Sequence, residues 1–377
     1  MTPQAVVPFA DPAPLPAAVW LLNVLLVSGF ALHILAINGM LGATLIGLWA
    51  RWFGKTSEHK RLSESLMHSV TSLLSSAITL GIVPLLFLQL LFGNFFYTSS
   101  ILIAWPWLMI IVLLPIAYYC LYIGNWWKNR SAKLIGIGMF LSLMIFFVIA
   151  FFFVNNMTLL LTPEKWFAMY ASNTTGIQLN LNEPTLIFRY AHMLFAAFGV
   201  GSLFVVALGL FHFNKEPRFG RFFIEEGGRW FVSLTSLAIV AGFGFLLSLP
   251  EAVRQLFLGQ NALGSICLLL GISLGLLAIF AMSSSLQKQD PRGGAIKAII
   301  LATVGVIFMA IVRDRLRDAF LDPYLQAAPL SVRYQVGPMA IFFALFVLGL
   351  AFVFYMVLRF VRSGRQALHE KRVGPEH

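Results

Sequence analysis

Charge is scarce in this 377-residue chain: only 11% of it is Asp, Glu, Lys or Arg. Ordinary soluble domains carry about 25%, so a single water-exposed globule is excluded. Cysteine is almost absent. Cys120 and Cys267 both fall in apolar runs, so no disulfide framework or zinc site can be built. No Cys-x-x-Cys-His motif occurs, so any covalently attached c-type haem must belong to a partner. Met1 to Pro16 has no basic residue and lacks the n-region of a cleaved signal peptide.

What is present is hydrophobic: 59% of residues are apolar, with 36 phenylalanines and a mean hydropathy of +0.85. The pattern predicts nine transmembrane spans, at 17–50, 64–92, 101–123, 134–154, 186–212, 230–249, 260–285, 295–312 and 338–360. The net charge of +11 does not indicate nucleic acid, because 19 of the 26 basic residues lie in alternate loops and the C-terminal tail. Those loops hold Arg51 to Arg61, Lys128 to Lys133, Lys215 to Arg229 and Lys288 to Lys297. The positive-inside rule makes that side cytoplasmic, which predicts a multi-pass protein with its N-terminus outside and C-terminus inside.

One stretch organises the rest. Arg189-Tyr190-Ala191-His192 opens the apolar run Leu186 to Phe213, and Gly201 follows His192 by nine residues. An ionisable residue inside such a run marks a functional site by default. Arg189 lies on the same helical face, one turn nearer the membrane surface. A buried imidazole below a cation suits a haem, with the ring on iron and the cation on a propionate. The bland alternative is a histidine hydrogen-bonded to another helix. The glycine admits a flat macrocycle or a neighbouring helix. The pattern recurs at His33 and Gly42, 159 residues earlier. Similar offsets align Gly81 with Gly242 and Lys128 with Lys288. Spans 1–4 and 5–8 therefore read as parallel repeats. The expected architecture is all-α: an outer segment 1–16, a four-helix bundle 17–157, an outer loop 158–185 folded as a cap, a second bundle 186–320, and a peripheral ninth helix with a basic tail, 321–377.

Other residues carry weaker signals. Pro84 should kink span 2, and Gln89 beside it can hydrogen-bond a quinone or propionate, or simply another helix. His68 and His212, at cytoplasmic helix ends, are candidates for an inner haem site; histidines there more often meet water or headgroups. His59 reads as solvated. Arg313, Arg315 and Arg317, expected just beyond the end of span 8, can clamp propionates or pair with Asp314, Asp318 and Asp322. Met309 reads as a possible thioether ligand or as packing.

In their order and spacing these residues resemble subunit I of cytochrome bd quinol oxidases, over roughly residues 20–320. The family's helix-1 and helix-5 histidines, each followed by glycine at nine, match His33/Gly42 and His192/Gly201, and its basic residue three before the second histidine matches Arg189. Leu80-Gly81, Phe92-Gly93 and Asn155-Asn156-Met157 echo its second and fourth helices. The resemblance implies haem b, one or two per chain, bound by His33, His192, Arg189 and Arg315, together with quinol, other membrane subunits and an electron-accepting cytochrome. The departures are equally specific. The helix-2 glutamate is Gln89, Ser265-Ile266-Cys267 stands where an axial methionine is expected, the helix-8 acid falls near Val312, and only Pro250 to Leu258 remains of the quinol loop. Oxygen reduction needs proton-delivering carboxylates, so the expected function is haem b electron transfer from quinol to a partner c-type cytochrome. The competing classes are a haem-free transporter or anchor subunit, which should show more intramembrane charge, and a true oxygen reductase, which the missing carboxylates argue against.

Overall fold

The apolar runs become helices because a bilayer leaves backbone N–H and C=O groups no partner but one another. A computed structural model of the chain describes residues 14–126, 132–325 and 331–370, and the side chains among them except at 123–126, 132, 353, 354 and 356–370. Lys128, Arg130, Lys371, Arg372 and His377 lie outside the described residues. Nine long helices are labelled here in chain order: α1 Val19–Phe53, α2 Ser57–Leu102, α3 Ala104–Trp126, α4 Ala132–Leu160, α5 Leu186–Phe213, α6 Pro217–Ser248, α7 Ala262–Leu286, α8 Arg292–Leu325 and α9 Val336–Glu370. Among the described residues there is no strand, only an isolated bridge between Leu15 and Val332.

The first eight helices are long and apolar enough to cross a membrane, and α9 has a shorter apolar stretch, Val336–Phe352. Large apolar side chains such as Ile111, Val240 and Phe280 are exposed, an arrangement stable against lipid and costly against water. The protein is therefore an all-α, multi-pass membrane protein. The chain divides into two compact units, one of them Asn23–Ala328 and the other Asp11–Leu22 with Pro329–His377. In the second unit Leu15 N–H donates to Ser331 O at 2.8 Å and Arg333 N–H to Leu15 O at 2.9 Å.

Within Asn23–Ala328, sequence neighbours pack as helical hairpins, with α5 and α6 the most extensive pair, followed by α7 and α8, then α3 and α4. One buried cluster joins α1, α2, α4, α5 and α6 through Met40, Leu66, Met139, Val205 and Phe223. A second, around Val206, Phe231, Met282 and Ala298, fills the space between α5, α6, α7 and α8. At the basic end, the first and second halves are tied by Arg61–Glu216 at 2.8 Å and Arg218–Glu58 at 3.0 Å. Solvent screens both pairs, so they contribute little to stability. His59, expected to be solvated, is half-buried there between Trp49 and Phe222, with ring centroids 5.4 and 5.0 Å away.

Two helix ends differ from the sequence reading. Helix α2 continues through Gly93 and Asn94 to Leu102, and its non-helical residue is Phe92 (φ −129°, ψ 32°), not the Pro84 turn. Phe95 and Phe96 are buried, and Thr98 and Ser99 hydroxyls donate to Asn94 O and Phe96 O, so this polar-looking stretch has reason to stay helical. Helix α8 likewise runs past Val312 to Leu325, which places Arg313, Arg315 and Arg317 on a helix rather than beyond its end.

Residues 158–185 pack over the end of α4. A 3₁₀ turn Pro163–Lys165 and a short helix Trp166–Ser172 are held by Trp166 Nε1–H donating to Leu159 O at 2.8 Å and by Tyr324 Oη–H donating to Glu164 at 2.8 Å. Asn180 is the buried anchor. Its backbone N–H donates to Asn155 Oδ1 at 3.0 Å, and its Nδ2 reaches the Thr158 and Thr162 hydroxyls at 3.4 Å. Asn155→Ala leaves that N–H buried without an acceptor, a loss of about 1–3 kcal/mol. Limited proteolysis should then cut within 158–185 faster than in the parent protein while the helices remain intact.

Candidate functional site

The two sequence-predicted histidines have one and the same setting. His192 Nδ1 lies 2.8 Å from Ala238 O on α6, and His33 Nδ1 lies 2.9 Å from Ala77 O on α2. A carbonyl oxygen only accepts, so in both rings Nδ1 carries the proton. Nε2 then holds the lone pair, and among the described residues it has no hydrogen-bond partner in either ring. One helical turn beyond each accepting carbonyl stands a glycine against the ring. A Cβ on Gly242 would lie 2.9 Å from His192 Nδ1, and one on Gly81 would lie 2.8 Å from His33 Cε1. The repeat inferred from spacing thus extends to a carbonyl and a glycine on the neighbouring helix in each half.

Gly42 and Gly201 face each other where α1 crosses α5. A Cβ on Gly42 would fall 2.7 Å from Gly201 Cα, and one on Gly201 would overlap the Asn38 carbonyl. The neighbouring helix, rather than open space for a macrocycle, occupies the room these glycines leave. They bring the backbones of the two histidine-bearing helices into direct contact.

A cavity lies near the capped end, lined by Leu88, Met157, Leu160, Leu161, Leu316 and the guanidinium side chains of Arg189, Arg313 and Arg317. Helical phase decides which arginines reach it. Residues four apart share a face, whereas residues two apart are turned by about 200°. Arg313 and Arg317 line the cavity and Arg315 does not; Arg315 pairs with Asp314 at 2.8 Å and Asp318 at 3.0 Å. Arg317 shares those two acids through Nη2, but its Nε and Nη1 are buried without a partner, as is Nε of Arg189. Arg189 lies over Phe245 (4.7 Å) and Arg317 over Phe92 (3.9 Å). Arg313 lies over Phe30 (4.1 Å) with Nη2 3.8 Å from Met157 Sδ. Among the described residues, neither Arg189 nor Arg313 has a carboxylate at ion-pair distance. Unpaired cations and orphaned donors around one cavity offer an anion both charge and hydrogen bonds.

The remaining candidates are elsewhere. Gln89 is half-buried on α2, where its Oε1 accepts from the Tyr97 hydroxyl at 3.4 Å. His68 is exposed on α2. His212 bonds the Leu208 carbonyl of its own helix at 2.8 Å and packs among Phe211, Phe219 and Phe223. Met309 is a packing residue: its methyl and sulfur fill the space beside Gly271 on α7. No group of three or more His, Cys, Asp or Glu comes together among the described residues. Met157 and the Ala77 and Ala238 carbonyls escaped the sequence reading. Carbonyls have no residue signature, and Met157 stood out only as part of an Asn-Asn-Met segment.

No protein-family model and no curated protein matches the chain. Among solved structures, the bd oxidase from Geobacillus thermodenitrificans superposes with a TM-score of 0.69 over 92% of this chain and 98% of that one, at 13% identity. At that identity the likeness shows the fold and nothing finer. The chain is an all-α, multi-pass membrane protein with a bd-oxidase-like fold.

Proposed function

We propose that this chain is a haem b-binding electron-transfer subunit of a respiratory complex, which oxidises quinol and hands electrons to a partner cytochrome. The carrying observation is the duplicated histidine: Nδ1–H held by a carbonyl of the next helix, Nε2 left with its lone pair. That is the arrangement in which an imidazole serves as a metal ligand, its other nitrogen fixing tautomer and orientation. His33 and His192 would hold iron, and Arg189 and Arg313 would take carboxylates of the same group. Haem supplies reversible one-electron transfer. The chain's own residues supply ring orientation, charge compensation and exclusion of water. Gln89 and Tyr97 offer a hydrogen-bonding pair to a quinol head, and half-exposed Tyr97 faces outward. The lack of a c-haem motif supports an acceptor on another subunit. The basic loops support an orientation with the N-terminus outside, and the resemblance to bd oxidases implies a bacterial inner membrane.

The test is the reduced-minus-oxidised spectrum and pyridine haemochrome of the purified complex. A b-type α-band with one or two haems per chain supports the reading. A chain free of haem, with both histidines serving as interhelical hydrogen bonds, overturns it in favour of an anchor or transport subunit. Gln89 and Val312 stand where the resemblance leads one to expect carboxylates. The isolated chain is therefore expected to show no quinol-driven oxygen uptake, measured with an oxygen electrode, whereas the intact complex reduces its cytochrome.

A further inference from the structure

The repeat offset that maps His192 onto His33 maps Arg189 onto Phe30. The first half therefore lacks, in its own helix, the cation that stands one turn from the histidine in the second. The structure places another cation there. Arg313, from α8 of the other half, lies with its guanidinium carbon 4.1 Å from the Phe30 ring centre. It is within electrostatic reach of His33, of Arg189 and Arg317, and of one acid, Asp314. All three arginines line one cavity.

We infer that Arg313 is the missing partner of the His33 site, supplied in trans, and that the ligands at His33 and His192 place their carboxylates in one shared arginine basin. This rests on the haem reading above and adds to it a count of two ligands and a specific assignment. Three observations support it. Arg313 has no carboxylate at ion-pair distance among the described residues, and Asp314, which acts on it at longer range, is already paired with Arg315 and Arg317. Phe30 presents a ring face to the guanidinium, which holds the cation over the position a cis arginine would fill. The basin brings together two cations without an ion pair, Arg189 and Arg313, and a third, Arg317, paired through Nη2 only; anions meet both the charge and the orphaned donors on Arg189 and Arg317. In this arrangement Arg313 is a positioning residue for the His33 ligand, as Arg189 is for the His192 ligand.

The experiment compares the intact complex carrying the parent chain, His33→Ala, Arg313→Gln, and Arg313→Gln combined with Phe30→Arg. Haem per chain and the midpoint potential of each band are read by haemochrome assay and redox titration, and His33→Ala identifies the His33 band. Arg313→Gln is expected to weaken retention of that haem by about tenfold or more, the loss typical of one charge-assisted contact. It should also lower the potential of whatever remains, while the His192 band stays. Phe30→Arg should restore both. Should Arg313→Gln fail to accumulate, the double variant alone is read: a His33 band present supports the inference, and a folded protein without it overturns it. A parent chain with one haem, or an Arg313→Gln protein whose His33 band and potential are unchanged, also overturns it. A parent chain with no haem defeats the functional reading itself, an outcome separate from either of these.

Discussion

His192→Ala removes one reduced α-band from the spectrum while the chain remains in the membrane. The imidazole contributes one interhelical hydrogen bond, to Ala238 O, and rests in the notch beside Gly242. Losing that bond costs about 0.5–1.5 kcal/mol, which eight packed spans can absorb. On the proposed haem reading the variant also loses an iron ligand, so the expected loss is one haem per chain. Gly242→Ala separates orientation from ligation, because its methyl would sit 2.9 Å from Nδ1 and turn the ring without deleting Nε2. That variant should keep haem with a shifted band. A spectrum unchanged in His192→Ala would reject the assignment.

Gly201→Ala is expected to cost more folded protein than any single side chain at the site. The added methyl would overlap the Asn38 carbonyl and press on Gly42 Cα at 2.9 Å. Both are backbone, which cannot rotate away, so α1 and α5 must separate along their whole contact. Overpacking in a tight core costs about 1–3 kcal/mol, and more where backbone must move. Thermal melts in detergent should show a large drop in midpoint, or no monodisperse protein at all. Gly293→Ala is the control, since nothing lies within 4 Å of a methyl there. Equal melting of Gly201→Ala and parent would mean that the helices do not meet as described.

The spans and the repeat were legible because hydropathy and the nine-residue His-to-Gly spacing are local and periodic. Helix ends were not. Asn94, Thr98 and Ser99 read as loop, yet two of the three turn their hydroxyls back on their own helix. The same blindness misplaced the arginines. Beyond a helix end, Arg313, Arg315 and Arg317 are equivalent; on a helix, the 313/317 pair and Arg315 part company. The glycines were read correctly as sites of close approach, but whether a helix or a ligand approached depended on residues distant in sequence. The tethering carbonyls of Ala77 and Ala238 depend on tertiary packing alone.

The contact between α1 and α5 has the form of a homodimer interface joined into one chain. Gly42 touches Gly201, and Gly201 touches Gly42 in return. At the basic end Glu58 reaches Arg218 while Arg61 reaches Glu216, so each half gives one acid and one base to the same seam. In a true dimer every substitution is made twice, and a residue at the axis must suit its own copy. Fusion lifts that constraint. One copy can keep Arg189 while the other holds Phe30 and borrows its cation from across the axis. Asymmetry between two sites that began alike is then open to selection.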